Sequence, residues 1–153
     1  MAVRVQEADF DMGAELAALS AGNRRVGALA SFVGLVRDMH VDGDGQPVSA
    51  MTLEHYPGMT ERQLEAIEAE ARARWPLEDC LVIHRYGRLE PGDRIVLVAC
   101  ASPHRDAAFE ACRFLMDWLK TKAPFWKLEE TPEGRRWVEA RDSDTAAAER
   151  WQG

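Results

Sequence analysis

The stretch that most constrains the fold runs from His104 to Lys127, HRDAAFEACRFLMDWLKTKAPFWK, because with the Ser102-Pro103 before it a long amphipathic helix is marked at both ends. Ser102 is a good N-cap, Pro103 suits the first helical position, and Asp106 in the first turn complements the helix dipole. At about 100° per residue, Ala108, Ala111, Cys112, Leu115, Trp118 and Leu119 fall on one broad face. Arg105, Phe109, Arg113, Met116 and Lys120 fall on the adjoining one. The first face is predicted to pack and the second to meet a ligand. Pro124 disfavours helical geometry at Ala123, so Phe125, Trp126 and Lys127 leave as an extended segment that can bring Lys127 back towards Lys120.

Around this helix the periodicities alternate. Val3 and Val5 read as a first strand, and Asp11 as the cap of a short helix carrying Leu16 and Leu19. Val26 to Arg37, VGALASFVGLVR, is apolar at nearly every position and predicts a central strand covered on both faces, with Gly34 at a bulge or close approach. DMHVDGDGQP reads as an exposed loop before a strand from Val48 to Tyr56; an EF-hand is excluded because Leu53 stands where its closing Glu belongs. Thr60 and Gln63 suggest a capping box for a helix striped by Leu64, Ile67, Ala71 and Trp75 and closed by Pro76. Cys80 to Leu89 and Arg94 to Ala101 are predicted to pair as a hairpin around a type II turn at Pro91-Gly92. Strands over Trp126 to Thr131 and Arg135 to Ala140 and a final helix capped by Ser143 or Asp142 complete the chain. Helices among antiparallel hairpins indicate an α+β fold, and 153 residues without repeats or linkers fit one domain, 1–153.

Composition narrows the function. A net charge of -7 argues against nucleic-acid binding, which needs clustered Lys and Arg on a positive face, and makes any local cationic pocket stand out. No run of about 18 apolar residues exists, and MAVRVQEADF lacks the order of a signal peptide, so the expectation is a cytoplasmic protein with no membrane partner. Cys80, Cys100 and Cys112 form no C-x-x-C pair and read as reduced, buried thiols. His40, His55 and His84 match no metal-ligand spacing, and no metal or other cofactor is expected.

Within the cationic candidates, Lys120 and Lys127 are the pair best suited to chemistry. Two ammonium groups brought together in a partly dry pocket can serve as base, nucleophile or oxyanion stabiliser. Spacing alone favours a plainer account, in which lysines of a last helical turn answer the dipole. His104 and Arg105 open the helix beside free N–H groups, a natural place for phosphate or carboxylate, and Arg37 at a strand end could add a bidentate contact; solubilising residues would look the same.

Five word-like stretches go further: LEHYPGMTE from Leu53, IHRYGRLEPGD from Ile83, the S-x-H-R step ending at Arg105, MDWLKTKAPFWK from Met116 and RWVEARDSD from Arg136. Together, and in this order, they resemble the large, catalytic subunit family of molybdopterin synthase over nearly the whole chain. The resemblance implies an α/β hammerhead-like α+β fold and a homodimer within a heterotetramer. It also implies a docked small ubiquitin-like sulfur-carrier subunit ending in a Gly-Gly thiocarboxylate. The implied reaction converts cyclic pyranopterin monophosphate to molybdopterin by inserting two dithiolene sulfurs. By motif, Lys120 and Lys127 would be catalytic, Arg37, His104 and Arg105 would form the anion and pterin pocket, and Arg141 would reach in from the neighbouring subunit. Leu35, Val36, Leu128 and Glu129 would line the same cleft. A phosphate-ester hydrolase and a non-catalytic module that binds an acidic tail are the alternatives.

Overall fold

The structure, a computed structural model, describes residues 2–37, 39–40, 47–48, 50–121, 125–131, 134–138 and 151. In chain order the elements are β1 (Ala2–Gln6), α1 (Met12–Ser20), β2 (Ala28–Leu35), β3 (Met39–His40), β4 (Pro47–Val48), β5 (Ala50–His55) and α2 (Met59–Arg74), followed by β6 (Asp79–Arg85), β7 (Gly87–Leu89), β8 (Arg94–Ser102), α3 (Arg105–Thr121), β9 (Phe125–Thr131) and β10 (Gly134–Val138). The α+β expectation is met. One sheet has the order β1-β6-β8-β2, a second β10-β9-β5-β7, and β3 and β4 form a short ladder of their own. All pairings are antiparallel except β1 with β6.

Alternation along the strands of the first sheet divides its side chains between two layers. Cys80, Val82, Val96, Val98 and Cys100 face α2 and α3 and pack with Leu64, Ile67, Ala71, Ala111, Phe114 and Leu115. Leu81, Ile83, Leu97 and Ala99 point the other way, to Phe10 and the partly buried Leu16 and Leu19 of α1. A smaller cluster of Val36, Met51, Leu53 and Leu89 joins the two sheets. The buried face of α3 is the one its periodicity predicts, with Met116 as the exception: it is buried rather than turned to a ligand.

Several local expectations are met and several shift. Asp11 caps α1, its Oδ1 accepting from Ala14 N–H at 3.1 Å. The turn at Glu90–Asp93 is closed by Asp93 N–H to Glu90 C=O at 2.9 Å, with Gly92 at φ 94°, the left-handed geometry a type II turn requires. The capping box of α2 lies elsewhere than expected: Gly58 is the N-cap, its N–H donates to Glu61 at 2.5 Å, and Thr60 Oγ1 accepts from Tyr56 N–H. Helix α3 starts at Arg105, because Ser102 stays in β8 and its hydroxyl accepts from His104 N–H at 3.1 Å. Within the loop expected over 38–47, β3 pairs with β4, Met39 opposite Val48 and His40 opposite Pro47. The final helix expected near Ser143 lies outside the described residues.

Two differences matter for the site. The run expected as a central strand is an edge strand, since among the described strands β2 pairs only with β8. Leu29, Phe32 and Leu35 are exposed there, so the apolar run is not all core. Its register shifts between Gly34 and Leu35, and a Cβ at Gly34 would come within 2.8 Å of Val96 Cγ1, as a bulge with close approach predicts. The run Cys80 to Leu89 is not one strand but two. Gly87, at φ 90°, turns the chain after Tyr86, so β6 pairs with β8 in the first sheet while β7 pairs with β5 in the second.

Candidate functional site

The two sheets meet at the C-terminal end of α3. This helix packs over β2 and β8 and runs back against β8, so its last turn, with the exposed Lys120, overlies the end of the sheet where β8 begins and β2 finishes. Arg37 follows that finish. The chain just before it is pinned by Val36 N–H to Asp93 C=O at 2.8 Å and Gly92 N–H to Val36 C=O at 2.6 Å. Buried Val36 packs with Leu53 of β5, and Leu53 is the register partner of Lys127 in β9. Arg37, Lys120 and Lys127 therefore belong to one end of the molecule.

A cluster of rings lies between them. His84, the last inward residue of β6 before the chain bends, stacks on Phe125 with ring centroids 3.7 Å apart and planes at 17°. His55 of β5 sits 4.4 Å from Tyr86 and 6.1 Å from Phe125, measured between centroids. Phe125 and Lys127 are two residues apart on one strand and share its face. His84 Nδ1 lies 2.8 Å from Arg85 C=O; the carbonyl accepts, so Nδ1 carries the proton and Nε2 keeps its lone pair. Burial pushes the imidazole down to about 4, and the positive charge of Lys120 nearby pushes the same way. At neutral pH the His84 ring is uncharged, so it adds no cation beside Lys120.

His104 and Arg105 are placed differently. They open α3 beside the far end of β2, where Gly27 N–H donates to Ser102 C=O at 2.9 Å and a Cβ on Gly27 would fall 2.4 Å from the Pro103 carbonyl oxygen. At 17 residues, α3 separates Arg105 from Lys120 by roughly 22 Å along its axis, at about 1.5 Å per residue. One chain does not bring the two groups to one ligand. Of the remaining expected lining, Leu35 is exposed, Val36 is buried and Leu128 is partly buried opposite Thr52. Glu129 occupies a β9 position opposite Met51, and Arg141 lies outside the described residues.

The thiols take no part in this cleft. Cys80 and Cys100 face each other in register with their sulfurs 3.8 Å apart, and that contact together with burial raises the Cys100 thiol far above its ordinary range. Burial pushes Cys112 up to about 12. Among the described residues no group of three or more His, Cys, Asp or Glu side chains is arranged to hold a metal ion, and no helix is long and apolar enough to cross a membrane.

Sequence reasoning missed the role of the rings. In the sequence His84 stands out only as a histidine outside any metal-ligand spacing, and the usable signal was joint: the inward parity of Cys80, Val82 and His84 together with the i, i+2 relation of Phe125 and Lys127.

Fold and site define an α+β protein with two lysines and an arginine gathered where two sheets meet, an arrangement suited to anionic groups. The chain belongs to the MoaE protein family, whose model matches residues 5–122. It is 61% identical over 152 residues to the molybdopterin synthase catalytic subunit of Pseudomonas aeruginosa, covering 99% of both chains. Its structure is similar to that of the MoaE protein from Burkholderia ambifaria, with a TM-score of 0.84 and 56% identity over 100% of this chain and 99% of that one. The fold is also shared, at 20% identity and a TM-score of 0.73 over 91% of each chain, with a Helicobacter pylori complex of subunits 1 and 2 of molybdopterin-converting factor.

Proposed function

We propose that the protein is the catalytic subunit of a molybdopterin synthase, a sulfurtransferase of molybdenum cofactor biosynthesis, and that the cleft between the end of α3 and β9 is where sulfur is transferred. The observation that carries this reading is the charge of Lys120 acting on the uncharged His84 ring, which stacks on Phe125 two residues from Lys127, in a protein of net charge -7. The substrate class fits that charge. Cyclic pyranopterin monophosphate is a phosphate ester, and the donor is the thiocarboxylate at the Gly-Gly end of a small carrier subunit. In each transfer a carbon–sulfur bond forms to a pterin side-chain carbon as the carbon–oxygen bond there breaks and its oxygen leaves with a proton, and water cleaves the acyl carbon–sulfur bond, so the carrier leaves as an ordinary carboxylate. Two carriers complete the dithiolene. Lys120 stabilises the charge at the thiocarboxylate, and Lys127 moves the proton at the pterin carbon. The reaction needs no redox group, because sulfur arrives already activated.

The length of α3 shapes the assembly. With His104 and Arg105 roughly 22 Å from Lys120, they serve the cleft of a second copy, as Arg141 does. The edge strand β2, with Leu29, Phe32 and Leu35 exposed beside the exposed Phe109 of α3, is the apolar surface on which such a homodimer closes. A small subunit on each copy makes the heterotetramer, and the two-subunit assembly of the Helicobacter pylori neighbour supports that partner. The enzyme acts in the cytoplasm, where its thiols stay reduced.

The test mixes the protein with thiocarboxylated carrier and cyclic pyranopterin monophosphate and measures dithiolene product in a single turnover. Product that depends on all three components supports the reading. Release of phosphate without carrier would replace it with a hydrolase, and binding without turnover would leave only an interaction module.

A further inference from the structure

The geometry points to His84 as a positioning residue of the sulfur-transfer site, one that fixes the start of β9 through Phe125 and thereby sets Lys127 opposite Lys120. The inference rests on the reading of the two lysines given above. Its grounds are the ring stack at 3.7 Å, the Nδ1 bond to the Arg85 carbonyl at 2.8 Å, and the shared face of Phe125 and Lys127.

The physical need is specific. Lys127 is borne by a strand that follows α3 directly and belongs to the second sheet, whereas Lys120 rides on the helix that covers the first. Their separation is thus set between two layers rather than within one. Backbone pairing of β9 with β5 fixes the strand's register but not its distance from α3. His84 supplies that missing link, because it comes from the last turn of register in the first sheet and lies flat against the first residue of β9. The carbonyl bond holds the imidazole in one rotamer and one tautomer, so the stack has a fixed height. His55 approaches the same Phe125 from β5, and its register partner is Phe125 itself. The charged group facing His84 from α3 is Lys120, and the titratable group facing it from β5 is His55. An uncharged ring is the form that can sit beside the Lys120 ammonium group without repelling it.

The experiment measures single-turnover sulfur transfer in the assembled complex for His84→Ala, His84→Phe, His84→Asn, Phe125→Ala and the His84→Ala/Phe125→Ala pair, with Lys127→Ala as reference. Misplacement of a reacting group by about an ångström costs up to roughly 100-fold. His84→Ala is expected to slow the chemical step roughly 10- to 100-fold while apparent KM for pterin and carrier changes less than about threefold. His84→Asn keeps a donor for the Arg85 carbonyl and His84→Phe keeps the stack, so each should recover part of the rate. The double variant should be no slower than either single one, since both break the same link. A His84→Ala rate within about threefold of wild type, or multiplicative losses in the pair, would overturn the positioning role while a dead Lys127→Ala leaves the lysine reading intact. Full activity of Lys127→Ala would instead remove the reading on which the inference stands. If His84→Ala does not fold, the Phe and Asn variants carry the test: both at the rate of the reference variant would overturn it.

Discussion

The two ends of α3 carry similar charge and do opposite things. At the start, His104 and Arg105 are exposed, and the backbone beneath them is locked to its own sheet through Ser102, Pro103 and Gly27. At the finish, Lys120 looks onto a second sheet across a layer of rings. A helix dipole favours cations at the finish and not at the start, so Lys120 has a local reason to be there and Arg105 has none. The cation that its own helix does not explain is the one to attribute to an external anion. Cations that helical periodicity sets on one edge need not meet one molecule, because an edge of four turns is longer than most ligands.

The sharpest way to break this contrast is Lys120→Ala, compared with Lys122→Ala as a control of equal charge two residues on. Lys120→Ala is expected to slow single-turnover sulfur transfer at least about 100-fold with thermal melting preserved, and Lys122→Ala to change the rate less than about threefold. Equal rates would return Lys120 to the dipole. Next in size is complementation. Arg105→Ala and Lys120→Ala should each be nearly inactive, whereas subunit-exchanged mixtures should regain about a quarter of wild-type activity, because half the dimers then hold one intact composite site. Absence of recovery after verified exchange would put both ends in one chain.

In the layer below α3, Glu68 of α2 is 1% exposed and neither carboxylate oxygen has a hydrogen-bond partner among the described residues. Burial raises its pKa to about 7. The folded state therefore holds this proton more tightly than the unfolded one. Its stabilising effect is complete below about pH 4.5 and is lost as pH rises through 7. Glu68→Gln should remove that slope and raise stability at pH 8 by about 3–3.5 kcal/mol, at roughly 1.4 kcal/mol per pKa unit, with little change at pH 4.5. Denaturant titrations of both proteins at the two pH values check the sign. The smallest effect concerns Phe109, 65% exposed on α3. Phe109→Ser should alter monomer stability by no more than about 0.5 kcal/mol yet weaken dimerisation, read by sedimentation at graded concentration.

Much of this architecture was legible in residue order. The buried face of α3, the Asp11 cap, the Pro91-Gly92 turn and the β9–β10 hairpin all follow from local rules that nothing distant overrides. The misreadings share one cause, which is that local pattern does not say what lies alongside. The apolar run of β2 looks the same whether its outer edge meets another strand of its own sheet or a second protein. Met116 falls on the helix face that carries Lys120, yet it is buried in the cluster that α2, α3 and the first sheet share. Of the site, the two lysines and Arg37 were legible as residues and their company was not: the ring floor is assembled from β5, β6 and β9, which periodicity treats separately.

The bend at Tyr86–Gly87 has a mechanical consequence. The continuous backbone over 79–89 gives β6 to one sheet and β7 to the other, so sliding of the sheets past each other would have to distort that stretch of chain. Gly87 acts as the elbow: its φ of 90° sets the angle, and a Cβ there would press on Glu7 at 3.2 Å. Torque on either sheet reaches the other through that joint as well as through the Val36, Leu53 and Leu89 packing and the His84–Phe125 stack, so the gape of the cleft depends on a backbone angle and not on side-chain packing alone.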